Sequence, residues 1–368
     1  MTGSSLQLEL SMSYIIYSAS FFHYTIFMEK IDRAYVRYLR YAVQWGIVLF
    51  LLYAGYCFVI FTDHFLAVQT MPAGGKEAVL KNRFPAVEGF LPIGALMGLK
   101  LWIMEGVFDR IHPAGLVIFV AAIVVAVVLK KGFCGWICPV GALSDSVWKL
   151  GERIFGRNFT IPRYADHGLR SVKYILMAFF VYVIVLKMPT PAIFHFLEND
   201  YYRIADVKML FFFTEMTRTT AISLSLLIVF SLGYKNFWCR YLCPYGALLG
   251  LLSMLSPLKI RRNETACVHC RKCSEHCPSL LPVEELVQVR SPECTGCLTC
   301  VSHCPSKGAL DVAFPQRKAA HPLLFAGLII AFFFGSITIA KLNGRWDSSV
   351  SYQDYQRLLP QAKHLNHP

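Results

Sequence analysis

Charge is what this 368-residue chain has least of. Asp, Glu, Lys and Arg together make up 16% of it and hydrophobic residues 55%, with a mean hydropathy of +0.47. Soluble domains carry roughly 25% charged residues, so the shortage excludes a wholly soluble fold and implies a membrane protein. Acid is scarcer than base, 23 residues against 36, for a net charge of +13. No basic helix or aromatic stacking platform accompanies that excess, which excludes nucleic acid as its partner. Basic loops on the cytoplasmic side of a bilayer account for it. There is no C-x-x-C-H string, hence no haem attached through one. The first residues lack the basic region and small-residue cleavage site of a signal peptide.

Cysteine, by contrast, is abundant and patterned. Eight of 13 cysteines fall between Cys267 and Pro305, in two copies of C-x2-C-x2-C-x3-C-P. Three cysteines at this spacing present thiolates to one face of an iron–sulfur cube, and the fourth ligates the other cube. The spacing therefore assigns Cys267, Cys270, Cys273 and Cys304 to one [4Fe-4S] cluster, and Cys294, Cys297, Cys300 and Cys277 to a second. A disulfide framework would need an oxidising compartment. Structural zinc usually draws on paired C-x2-4-C units, four ligands per ion. Neither fits as well. Cys57 lies in an apolar run, where free cysteine packs as a small hydrophobe.

A membrane crossing needs ~20 apolar residues. Ala42–Phe61, Pro113–Leu129, about Val172–Leu186, Thr219–Tyr234 and Pro322–Ala340 read as five spans. Residues 1–41 read as an N-terminal interfacial segment. Phe90–Phe108 carries Pro92, Lys100 and Glu105 and reads as a re-entrant or surface helix. If it crossed, Lys130, Lys131, Lys149, Arg153, Arg157 and Arg163 would lie outside, against the positive-inside rule. Five crossings put the N-terminus and both long basic segments in the cytoplasm and the tail, 341–368, outside. The expected architecture is an α-helical integral membrane protein with a small α+β ferredoxin-like insert at 257–315. Its strands flank the cysteine runs at Leu258–Ile260 and Leu310–Val312, and Leu281–Val289 forms a brief helix or turn.

The other four cysteines belong to an internal repeat. Phe133–Leu143 and Trp238–Leu248 share the frame aromatic-C-x3-C-P-x-G-A-L. They close two membrane repeats, 42–145 and 146–250. Both copies run the same way, so a rotation about the membrane normal relates them. It brings Cys134, Cys138, Cys239 and Cys243 towards one axis at the cytoplasmic boundary. Spacing i, i+4 places each pair on one helix face, and Pro139 and Pro244 break or kink the helix just after it. Four such thiols suit a further iron–sulfur cluster, a soft metal ion, or two redox-active dithiols.

Together these motifs resemble the NapH/NosR/CcoG-type membrane polyferredoxins, over about residues 42–315 and most nearly the NapH type. The resemblance implies electron transfer between the quinone pool and a redox partner such as a cytochrome or another iron–sulfur subunit. It places the protein in a bacterial inner membrane with the ferredoxin in the cytoplasm. The NosR type's periplasmic flavin domain and the CcoG type's periplasmic β-domain have no counterpart here, and span 322–340 departs from the NapH pattern. A copper-reducing maturation factor and a redox-sensing regulator are the alternatives. A copper reductase needs an exposed soft-ligand site, for which Met71, His364 and His367 are a thin match, since histidine near a terminus ordinarily has no ligand role. Ionisable residues at membrane depth are candidates for a quinone site: Lys100, Glu105, His112, His195 and Glu198. Singly, each also fits a solvated interface.

Overall fold

A computed structural model describes residues 4–67, 80, 83–314 and 319–365, with side chains in the first helix described from Tyr35 onward. Met71 and His367 fall outside these residues.

Proline sets where many helices begin. Pro92, Pro113, Pro139, Pro244 and Pro322 each occupy the first turn of a helix, where the missing N–H costs nothing and the fixed φ suits the helix. The chain runs through α1 (Ser4–Ala67), α2 (Pro92–Glu105), α3 (Pro113–Leu129), α4 (Pro139–Phe155), α5 (Arg163–Val181), α6 (Thr190–Glu198), α7 (Ala205–Thr214), α8 (Arg218–Gly233) and α9 (Pro244–Leu252). A four-stranded antiparallel sheet follows, ordered β2-β1-β3-β4: β1 (Lys259–Arg262), β2 (Gln288–Val289), β3 (Leu310–Ala313) and β4 (Ala319–Ala320). The chain ends on α10 (Pro322–Leu342) and α11 (Tyr352–Leu358).

Among the described residues three helical segments are long and apolar enough to cross a bilayer: Tyr35–Leu66, Tyr164–Lys187 and Pro322–Leu342. The pair α7 and α8, bent by 75°, makes a fourth if it is one broken span. Helix α3 is apolar but has only 17 residues. It is the packing centre, with Leu116, Ala122, Val125, Ala126 and Leu129 wholly buried and α2, α9 and α10 around it. Stretch 90–108 contains α2, which ends at Gly106 in the left-handed region (φ 70°), a conformation that glycine adopts freely. It lies against α3 and α6.

The ferredoxin is docked on the helices, not merely tethered. One core runs continuously from Val125 and Leu129 of α3 through Trp136 to Ile260, Val289, Leu298 and Val312 around the sheet. The indole of Trp136 donates to the Gly296 carbonyl at 3.0 Å. Asn236 donates to the Pro278 carbonyl at 3.3 Å, and the Arg240 guanidinium reaches the Ser279 carbonyl. Helix α9 approaches so closely at Gly250 that a Cβ there would lie 2.7 Å from the Pro292 carbonyl oxygen.

Candidate iron–sulfur centres

The two cysteine runs fold alike because their sequences repeat. His269 and Gly296 hold the same place in each run and both have positive φ (51° and 61°); so do Arg271 and Leu298 (61° and 58°). A residue with a Cβ held there costs about 1–3 kcal/mol and persists only where its surroundings demand it. Here the turns wrap each loop around a space. A cavity of about 360 Å³ has Cys267, Cys270, Cys273 and Cys304 in its wall. A second of about 360 Å³ has Cys277, Cys294, Cys297 and Cys300. In each ring the fourth cysteine comes from the other run. Among the described residues no trio of His, Cys, Asp or Glu converges on a point that would hold a single metal ion. The sulfurs stand around space instead.

The donor set fits an iron–sulfur cluster. Burial, followed by the sulfur of Cys297, pushes the Cys277 thiol up to about 12. Burial likewise raises Cys300, beside Cys297, Cys277 and Cys294. Such thiols ionise when a metal takes the negative charge, since coordination deprotonates a thiol outright. Held this way, the group would supply one-electron carriage.

The third cavity is larger, about 770 Å³, and has Cys134, Cys138, Cys239 and Cys243 in its wall. The frame's proline and glycine explain how. Cys138 and Cys243 are extended (ψ 121° and 103°) as the N-caps of α4 and α9, because a residue before proline is driven out of the helical region. Each pair therefore straddles a helix break, with Cys134 on the turn Gly132–Trp136 and Cys239 on the π-turn Trp238–Leu242. The pairs do not share a regular helix face, and the break falls at the second cysteine, not after it. A Cβ on Gly141 would lie 2.5 Å from the Cys134 carbonyl oxygen, and one on Gly246 would lie 3.4 Å from the Cys243 sulfur. The backbone N–H of Gly246 donates to that sulfur at 3.2 Å.

Charged side chains line the same cavity, among them Arg40, Lys131, Arg240 and Glu293. Lys131 is buried, with its amine 3.5 Å from where a Gly246 Cβ would sit. Glu293 accepts from Lys173 at 2.6 Å and from the Tyr174 hydroxyl at 2.7 Å. Burial opposes its ionisation, yet Lys131 and Lys173 outweigh that and hold the carboxyl below its ordinary range. Arg40 donates to the Gly135 carbonyl at 3.1 Å, to Thr299 at 2.9 Å and to Asp145 at 2.8 Å. These residues carry no motif. Glu293 stands beside Cys294, a weak hint, and Lys173 sits in an amphipathic stretch where a solvated lysine is the ordinary reading.

None of the five quinone-site candidates lines any of these cavities. The Lys100 amine donates to the carbonyls of Ile184, Val185 and Met188 at 3.1, 3.0 and 2.5 Å, which uses all three of its N–H donors. Glu105 accepts from Thr190 at 2.7 Å, and Glu198 accepts from Arg203 at 3.3 Å. His195 is exposed on α6. His112 is fully buried, its Nε2 2.7 Å from the Tyr202 carbonyl oxygen, in a network of Arg83, Glu88, Asp109, Tyr202 and Asp206. His364 is exposed in the tail.

Comparison with known proteins agrees with this layout. A family model described as a 4Fe-4S binding domain matches residues 111–158 and 219–263, the two stretches bearing the C-x3-C-P pairs. A 4Fe-4S dicluster domain matches 259–305. YccM of Escherichia coli (strain K12), whose name proposes electron transport as its role, is 46% identical over 288 residues, covering 76% of this chain and 80% of YccM. The chain belongs to the family of membrane-associated, ferredoxin-type 4Fe-4S proteins. More distant members include the ferredoxin-type protein NapH of the same organism, 26% identical over 45% of this chain and 55% of NapH. The regulatory protein NosR of Pseudomonas aeruginosa is 28% identical over 39% of this chain and 20% of its own length. No solved structure matches. Iron–sulfur electron transport is thus the family's business, and membrane association accords with the apolar helices.

Proposed function

We propose that the chain moves electrons between the quinone pool and a cytoplasmic redox partner through three iron–sulfur centres. Two would be [4Fe-4S] clusters, one held by Cys267, Cys270, Cys273 and Cys304, the other by Cys277, Cys294, Cys297 and Cys300. The third would lie at Cys134, Cys138, Cys239 and Cys243. The observation that carries this reading is the sorting of twelve cysteines into three rings of four, each around a cavity. The remaining cysteine, Cys57, is in none of them.

The placement of the rings favours quinol as the donor. In this reading the membrane ring lies at the cytoplasmic boundary of the spans, and a hydrocarbon core of ~30 Å separates it from the far side. A lipid-soluble carrier reaches it without that gap. Lys131 puts positive charge beside Cys134, Cys239 and Cys243, which favours a centre of net negative charge there. With five crossings, the ferredoxin faces the cytoplasm and the tail from Lys341 faces outward.

Iron and sulfide analysis with EPR on detergent-purified protein tests the reading. Full-length protein should carry iron for three centres, and the double variant Cys134→Ser, Cys239→Ser should lose one centre's worth. Equal iron in both would remove the third centre. Colourless, iron-free protein would end the proposal as a whole.

A further inference from the structure

The two ferredoxin cavities stand differently towards the membrane ring. The cavity of Cys134, Cys138, Cys239 and Cys243 shares Pro278, Ser279 and Thr295 with the cavity of Cys277, Cys294, Cys297 and Cys300. It shares no residue with the cavity of Cys267, Cys270, Cys273 and Cys304. At the shared wall the two cysteine loops touch. A Cβ on Gly135, between Cys134 and Cys138, would lie 2.7 Å from the Thr295 carbonyl oxygen and 3.5 Å from both Cα and Cβ of Cys297. Arg40 and Gln44 both hold the Gly135 carbonyl, at 3.1 and 3.0 Å, and Arg40 also holds Thr299. Trp136 holds Gly296. The loop Gly135–Trp136 is thus clamped onto the loop Thr295–Thr299 from both sides.

The other ring points away. Cys270 is exposed, and its neighbours Val268, His269, Arg271 and Lys272 are exposed with it. Between the two ferredoxin rings, the helical turns Lys272–Glu275 and Thr299–Ser302 pack together, and His276 stacks on His303 with ring centroids 4.1 Å apart.

We infer a fixed order of transfer. Electrons cross between membrane and ferredoxin at the Cys277/Cys294/Cys297/Cys300 site, through the contact of Gly135 with Thr295 and Cys297. The Cys267/Cys270/Cys273/Cys304 site is the terminal one and meets the soluble partner. Oxidation of one quinol releases two electrons and two protons. The protons go to water, and the electrons pass singly, so that one comes to rest at each ferredoxin site. Arg40 holds both loops of the contact and lines the membrane ring's cavity. This order rests on the proposal that the rings hold iron–sulfur centres, and metal analysis of the unaltered protein tests that separately.

The experiment uses the full-length protein, with duroquinol as reductant and freeze-quench EPR as readout. Dithionite, which reaches exposed centres directly, is the control. Cys270→Ala should leave duroquinol reduction of the Cys277/Cys294/Cys297/Cys300 site at the unaltered rate. Cys297→Ala should abolish duroquinol reduction of the Cys267/Cys270/Cys273/Cys304 site while dithionite still reduces it. The reverse pattern, or equal rates in both variants, would overturn the order. If Cys297→Ala protein does not fold, Gly135→Ala decides. Its methyl must push the loops apart, so duroquinol reduction of both ferredoxin sites should slow severalfold, at unchanged iron content and unchanged dithionite reduction. An unaltered duroquinol rate in Gly135→Ala would refute the contact as the crossing. Gly168→Ala, where a Cβ meets nothing within 4 Å, should behave as the unaltered protein.

Discussion

Replacing Glu293 by Gln tests how the ferredoxin is held to the membrane helices. Lys173 is 0% exposed and ends 2.6 Å from the Glu293 carboxylate, whose side chain is 8% exposed. The carboxylate also takes the Tyr174 hydroxyl and offsets the charge of Lys131. Breaking a buried pair by removing one partner costs about 3–5 kcal/mol, because the other charge stays behind unpaired. Gln keeps a carbonyl that accepts one of the two hydrogen bonds, so the lower end applies, about 3 kcal/mol. Since 1.4 kcal/mol is a factor of ten, amide exchange across residues 288–300 should quicken by about a hundredfold. Lys173→Met alone leaves the carboxylate facing Lys131 and Tyr174 and should cost less. The double variant should recover much of the loss, because removing both charges removes the desolvation penalty with them. A double-mutant cycle on exchange-derived free energies measures the coupling. A coupling below about 0.5 kcal/mol would refute the reasoning.

Three further outcomes follow from the geometry. Gly141→Ala must displace the Cys134 carbonyl, so purified protein should lose the membrane-boundary centre's share of iron while the ferredoxin EPR signals remain. Stripping iron with a chelator should unfold the cysteine runs of residues 267–305, whose loops close around the rings, while the sheet keeps its packing on the helices and far-UV circular dichroism keeps most of its helical signal; runs that stay protease-resistant without iron would contradict this. A protease site inserted after Gly308, where φ is 63° and nothing crowds the backbone, should be cut only from the cytoplasmic side in inverted vesicles, and one placed at the tail only from the outside; the opposite pattern would reverse the proposed topology.

Much of the site was legible in the cysteine spacing. An iron–sulfur loop is a local device: three ligands within seven residues of chain, with strained turns whose places repeat along with the sequence. The exchange of fourth cysteines is what the distance between each third and fourth cysteine leads one to expect, and the two cavities have those same sets in their walls. The C-x3-C-P frame carried its own reasons as well. Proline forces the preceding cysteine to be extended, and glycine leaves room for the Cys134 carbonyl. What the frame obscured was the break itself, because i, i+4 spacing looks helical until proline's effect on the residue before it is weighed.

The surroundings of ionisable residues are less legible in sequence. Lys100, Glu105 and His112 stood out as charges at membrane depth, yet each has partners far along the chain. The three carbonyls that take Lys100 are freed near the end of the π-turn Tyr182–Lys187. Arg83, Glu88 and Asp206 carry no motif, yet they form a buried ion-pair network with Arg83 2.7 Å from each acid. Burial of a charge depends on what folds over it, and no local pattern reports that.

The sequence by itself determined that this chain enters a membrane, carries two ferredoxin runs and repeats a cysteine frame, because hydropathy, ligand spacing and proline sterics act within a few residues. Only the tertiary structure decided that Gly135 lies against Cys297, that Glu293 is clamped by Lys173, and that one ferredoxin ring faces the helices while the other faces water. Those contacts join residues more than a hundred positions apart, and the packing of α3, α9 and α10 beneath the sheet brings them together.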